Sequence, residues 1–202
     1  MTRIKFCGVS CMSDVEAVNE LMPEYIGFVF VKTSKRYLSP ERAEKLKKHL
    51  NPDITAVGVF ADEDIKRIAE LCDRELIDMV QLHGKENEKE IQSLRAHIVQ
   101  PIIKAFCVKT MEDIRKAKRS SADYILLDSG AGTGMVFDWK LIKEIGRPYF
   151  LAGGIQSENV GDAVKQLNPY AVDVSSGIET GGRKDKKKMQ ALIAAVRKEE
   201  RL

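Results

Sequence analysis

Short apolar or β-branched runs recur at Arg3–Cys7, Tyr25–Phe30, Thr55–Phe60, Asp78–His83, Ile102–Cys107, Asp123–Asp128, Tyr149–Gly153 and Ala171–Ser175, with starts roughly 20 to 30 residues apart. Runs of this length and make-up predict strands. Between them the apolar positions change to helical spacing, as in Val15, Val18, Leu21 and Met22, or Val160, Ala163, Val164 and Leu167. Residues at i, i+3, i+4 and i+7 line one helix face that can pack on a sheet. The weakest helical stretches are Asn87–Arg95 and Thr110–Ser120, each with only two patterned apolar residues.

Helix starts are written into the same stretches. Ser13 with Glu16 three residues later reads as a capping box, and Ser39-Pro40-Glu41 reads as a cap before a first-turn proline. Asp62, Thr110 and Asp138 precede further helical patterns. Eight strand–helix units with no Gly/Ser/Pro-rich linker predict an α/β fold, a single (β/α)8 TIM barrel spanning residues 1–202. The competing arrangement of the same units is a doubly wound open sheet.

Composition narrows the chemistry. The chain has 202 residues and a net charge of +3, which gives no reason to expect nucleic acid or a membrane surface as partner. No apolar run approaches the roughly 18 residues of a membrane span. The expectation is a cytoplasmic protein whose cysteines, Cys7, Cys11, Cys72 and Cys107, stay reduced. Those cysteines and the scattered His49, His83 and His97 lack metal-ligand spacing, so no metal site is expected.

In a barrel of this type, active groups belong at the carboxyl ends of the strands. Cys7-Gly8, Lys35-Arg36, His83-Gly84, Asp128, Gly153-Gly154 and Ser175-Ser176-Gly177 would then share one rim. Alternation along the first strand puts Lys5 and Cys7 inside, with Ile4 and Phe6 toward the helices. A buried ammonium needs a partner, and Asp173 on the eighth strand is the expected one. The glycine pair and Ser-Ser-Gly segment expose backbone N–H groups suited to a phosphate. Gly130-Ala131-Gly132-Thr133-Gly134 fits neither a dinucleotide fingerprint nor a P-loop and reads as a loop able to cover a ligand.

In order along the chain stand Ile4-Lys5-Phe6-Cys7-Gly8, Ser34-Lys35-Arg36-Tyr37, Val80-Gln81-Leu82-His83-Gly84 and Leu126-Leu127-Asp128 with Gly132-Thr133-Gly134 and Phe137-Asp138-Trp139. They are followed by Ala152-Gly153-Gly154 and by Val172-Asp173-Val174-Ser175-Ser176-Gly177-Ile178-Glu179. Through these segments the chain resembles the phosphoribosylanthranilate isomerases of tryptophan biosynthesis over essentially its whole length. The resemblance implies an Amadori rearrangement of N-(5-phosphoribosyl)anthranilate without metal or organic cofactor. It assigns Cys7 as general base and Asp128 as general acid. Arg36 would bind the anthranilate carboxylate, and Gly154, Ser176 and Gly177 the phosphate. Asp173 would contact sugar hydroxyls, a role that competes with its pairing to Lys5. His83 either binds ligand or satisfies its neighbours. The family occurs as monomers and as homodimers, and either state is open for this chain.

The segment Thr180-Gly181-Gly182-Arg183-Lys184-Asp185 lacks a proline often found there in the family, which leaves that loop's course undefined. The basic run Arg183–Lys188 reads as the solvated start of the last helix. Two other activities fit the residues: another phosphosugar aminoaldose isomerase or epimerase, and a noncatalytic phosphate-binding barrel.

Overall fold

The computed structural model of the chain describes residues 1–128, 139, 142 and 145–199. The Gly130–Gly134 loop, Phe137 and the helix start at Asp138 lie outside the described residues. Eight parallel strands follow one another around a closed ring in chain order. They are β1 (Arg3–Cys7), β2 (Tyr25–Val29), β3 (Thr55–Phe60), β4 (Met79–Leu82), β5 (Ile102–Cys107), β6 (Tyr124–Asp128), β7 (Tyr149–Ala152) and β8 (Ala171–Val174). β8 pairs with β1, Lys5 standing opposite Asp173, and this closure excludes the open sheet. Each strand matches its apolar run to within a residue at either end.

Helices α1 (Met12–Leu21), α2 (Pro40–Lys47), α3 (Ile65–Asp73), α4 (Glu88–Arg95), α5 (Met111–Arg119), α6 (Val160–Leu167) and α7 (Lys186–Glu199) surround the ring. Ser39 caps α2 ahead of Pro40, and Thr110 caps α5 through the Asp113 N–H, as their sequences predict. Two helix starts differ from expectation. The cap of α1 is Cys11, and Asp14, not Glu16, reaches back to accept from the Ser10 and Cys11 N–H groups. The cap of α3 is Asp64, because Asp62 takes a positive φ of 52° and accepts the Lys85 N–H instead. In both cases a carboxylate nearer the chain reversal reaches the open N–H groups at lower cost than the residue two positions away.

Strand alternation creates two apolar layers. Ile4, Phe6, Phe28, Phe60 and Val80 pack outward against the helices, and Tyr25, Val57, Met79, Ile103, Leu126 and Phe150 fill the ring. Full burial of such side chains contributes about 1.5–3 kcal/mol each. At the amino ends of the strands Tyr170 Oη lies 3.0 Å from Tyr25 Oη and 3.4 Å from Tyr124 Oη, with the Arg3 guanidinium 4.4 Å over the Tyr170 ring. These rings fill that end, and the polar residues inside the ring gather at the other. Among the described residues no helix is long and apolar enough to cross a membrane.

Candidate active site

The carboxyl ends of the strands surround a cavity of about 700 Å³. Cys7, Arg36, His83, Asp128, Gly154, Asp173 and Ser176 all line it, so seven of the eight residues singled out in the sequence come together. Gly177 does not line it. A side chain there would collide with the Ile155 carbonyl, so this glycine lets the turn after β8 pack against the segment following β7.

Lys5 and Asp173 point inward from adjacent strands and pair at 2.9 Å, with their side chains 0% and 7% exposed. Burial alone would pull the Lys5 pKa down, but Asp173 and Cys7 more than offset it and hold it above the ordinary lysine value. Cys7 sits on the same face of β1, one inward position above Lys5. Burial pushes its thiol up, against the pull of Lys5 and Lys184, and the net displacement is upward. Gly27 on β2 makes room for it, since a Cβ there would lie 2.8 Å from Cys7 Sγ and 3.3 Å from Lys5 Nζ.

β4 contributes a second polar pair. Gln81 Nε2 lies 2.8 Å from His83 Nδ1. An amide N–H only donates, so Nδ1 accepts and the ring proton of neutral His83 resides on Nε2. That nitrogen stands 3.7 Å from Asp128 Oδ2. Burial pushes the His83 pKa down against the pull of Asp128, which favours the neutral ring. His83 therefore both lines the cavity and satisfies a neighbour.

Arg36 reaches the cavity because residues after β2 fold back on it, with a Leu38 N–H to Val29 O bond of 2.8 Å. Its guanidinium grips Glu179 at two points, Nε to Oε1 at 2.6 Å and Nη2 to Oε2 at 2.8 Å. This leaves three of its five N–H donors outside that grip. Glu179 also accepts from Lys184 at 2.8 Å. Burial acts to raise the Glu179 pKa, but its bonds from Arg36 and Lys184 prevail and hold it at about 2.

Sequence reasoning assigned no role to Glu179 and took Lys184 for a solvated residue. Lys184 is in fact 3% exposed. The cause is a hairpin: β9 (Glu179–Thr180) and β10 (Arg183–Lys184) pair antiparallel across Gly181-Gly182, both at positive φ, so Lys184 falls opposite Glu179. A Gly-Gly pair between two short polar segments is the signal that identifies such a turn. Lys104 was also missed. It points outward from β5, donates to Glu86 and the Gly84 carbonyl at 2.8 Å each, and so fixes the β4–α4 connection.

A family model described as N-(5'-phosphoribosyl)anthranilate (PRA) isomerase matches residues 4–195. The N-(5'-phosphoribosyl)anthranilate isomerase of Clostridium acetobutylicum is 44% identical over 207 residues, covering 98% of this chain and 99% of that protein. The crystal structure of phosphoribosyl anthranilate isomerase from Thermotoga maritima superposes with a TM-score of 0.89 at 35% identity, over 98% of this chain and 100% of that one. A second crystal structure of this isomerase, in complex with reduced 1-(o-carboxyphenylamino)-1-deoxyribulose 5-phosphate, gives 0.88 at 35% identity with the same coverage. With a closed barrel, a rim cavity and relatives matched from end to end, the chain belongs to the N-(5'-phosphoribosyl)anthranilate isomerase family.

Proposed function

We propose that the chain isomerises N-(5'-phosphoribosyl)anthranilate to 1-(2-carboxyphenylamino)-1-deoxyribulose 5-phosphate in tryptophan biosynthesis, with Cys7 as general base and Asp128 as general acid. The observation that carries the assignment of roles is the meeting of a half-buried thiol beside Lys5 and a carboxyl beside neutral His83 in one cavity. The Asp128 carboxyl protonates the ribose ring oxygen, and the C1–O bond breaks as the anilino nitrogen forms a protonated imine. Cys7 then removes the C2 proton to give an enolamine, which tautomerises to the ketone.

The free thiol is predominantly protonated, since burial outweighs its two lysines. The positive imine produced by ring opening supplies the missing stabilisation of a thiolate. His83 Nε2–H faces the carboxylate that Asp128 becomes on giving up its proton, and a hydrogen bond long in the free enzyme shortens as that charge develops. Arg36 presents donors to the aromatic carboxylate, and the N–H groups around Gly154 and Ser176 present an anion site to the phosphate.

Loss of substrate fluorescence, with the substrate generated in situ, tests the assignment. Turnover by the unaltered chain and a loss of roughly 10²–10⁴-fold in both Cys7→Ala and Asp128→Asn is expected. Decay no faster than the spontaneous rate with folded protein excludes the activity, and full activity in either variant removes that residue from its role.

A further inference from the structure

Within the basic run Arg183–Lys188, Lys184 is set apart by its surroundings. Lys186 reaches Glu20 at the surface and Lys188 donates to the Glu179 carbonyl, but Lys184 runs inward beneath the hairpin. Its ammonium meets Glu179 Oε1 at 2.8 Å, the Ser175 carbonyl at 3.0 Å and Ser175 Oγ at 3.5 Å. Ser175 Oγ in turn donates to the Cys7 carbonyl at 3.1 Å. An unbroken hydrogen-bonded chain thus runs from Arg36 through Glu179, Lys184 and Ser175 to the backbone of Cys7.

Burial pulls the Lys184 pKa down and Glu179 opposes it, so the ammonium is kept there at a desolvation cost. Replacing the whole ion cluster by well-packed hydrophobic side chains is a route to equal or greater stability, so stability alone does not call for an ammonium here. Charge arithmetic suggests what the ammonium supplies. The bidentate Arg36–Glu179 pair is neutral as a unit and would attract an anion weakly. Lys184 on the same carboxylate leaves the trio with one net positive charge, presented to the cavity by the guanidinium.

We propose that Lys184 is a positioning and specificity-determining residue for the aromatic carboxylate of the substrate, acting through Glu179 on Arg36. The proposal rests on the substrate assigned above. Without Lys184 the guanidinium is neutralised by its partner and loses its fixed distance from Cys7. The phosphate end of the ligand, held by backbone groups in the segments after β7 and β8, is left in place.

Two ligands separate this role from a merely structural one: reduced 1-(2-carboxyphenylamino)-1-deoxyribulose 5-phosphate, and the phenylamino compound that lacks only the carboxyl group. Calorimetric Kd values for both are compared in the unaltered chain, Lys184→Met and Lys184→Arg, with folding checked by thermal melting. The unaltered chain is expected to prefer the carboxylated ligand. Lys184→Met should reduce that preference about tenfold or more while leaving the Kd of the other ligand nearly unchanged, and Lys184→Arg should restore most of it. Lys184→Gln, which removes the charge but keeps an N–H donor, carries the same expectation as Lys184→Met if the methionine variant does not fold. Equal weakening of both ligands, or an undiminished preference, overturns the role of Lys184 while turnover by the unaltered chain upholds the substrate. Absence of turnover by the unaltered chain overturns the substrate assignment and this proposal with it.

Discussion

Lys5 Nζ and Asp173 Oδ1 lie 2.9 Å apart on residues in register between β1 and β8, at the seam where the ring closes. The pair joins the first strand to the last beneath the proposed base. Two charges removed from water this completely are tolerated only together. Lys5→Met, which strands the Asp173 carboxylate, should cost about 3–5 kcal/mol of unfolding free energy. Lys5→Met with Asp173→Asn should recover part of that loss. Urea unfolding of the two single variants and the double variant measures the coupling, and strictly additive losses would show that the pair does not act as a unit.

Gly27 is a test of how closely the thiol is fitted. A methyl group there would stand 2.8 Å from Cys7 Sγ, so the sulfur or the strand must shift. Displacement of a reacting group by about 1 Å can cost on the order of 10²-fold in rate. Gly27→Ala should therefore keep the barrel, by circular dichroism, yet lose most of its turnover. Undiminished kcat/KM would mean that the position of the thiol is not critical.

The pH dependence of turnover should carry the mark of a half-buried thiol. Since Cys7 is displaced upward, mainly by burial, its thiolate fraction is small at neutral pH and grows as pH rises. Measured between pH 6 and about 9, kcat/KM should climb on the alkaline side and not level off at neutrality. A profile flat above pH 7 would contradict a thiolate base in the free enzyme.

Glu179 links the hairpin to acid stability. Its pKa is lowered from 4.5 to about 2 in the folded chain, so it stabilises the fold above 4.5, and this contribution is lost as pH falls toward 2. Glu179→Gln should melt at a lower temperature than the unaltered chain at pH 7. The gap should narrow below pH 4.5 and close near 2. Melting curves that stay equally separated down to pH 2 would rule out this linkage.

The Lys104–Glu86 pair is a purely structural counterpart. Glu86 accepts from Lys104 and from the Gly84 and Asp62 N–H groups, all beside the β4–α4 connection. Glu86→Ala leaves the Lys104 ammonium without its counter-charge, held only by backbone carbonyls, and two N–H groups without their acceptor, and should lower unfolding free energy by about 3–5 kcal/mol. Denaturant titration checks this, and a change under 1 kcal/mol would show that water replaces the carboxylate at no cost.

The sites legible in the sequence were those fixed by position along a strand. Alternation placed Lys5 and Cys7 inside the ring and Ile4 and Phe6 outside, and the rule that barrel sites occupy the carboxyl ends of strands gathered Arg36, His83, Asp128 and Gly154 around one cavity. The Lys5–Asp173 pair was legible because ring closure leaves β8 no other neighbour on that side. Helix starts at Cys11 and Asp64 were not, since several side chains within three residues could cap and only backbone direction selects among them.

By itself, then, the sequence determined the ring of eight strands, the inward face of the first and the family to which the chain belongs. Periodicity of two or 3.6 residues is a local property and burial enforces it. Tertiary structure alone decided which charges meet. Lys184 lies 148 positions from Arg36, and the two share Glu179 only because the Gly181-Gly182 turn folds one over the site while the segment after β2 returns the other to it. Pairing of that kind depends on distances of a few ångströms between segments remote in the chain, where the energy of a charge falls steeply with separation and with access of water.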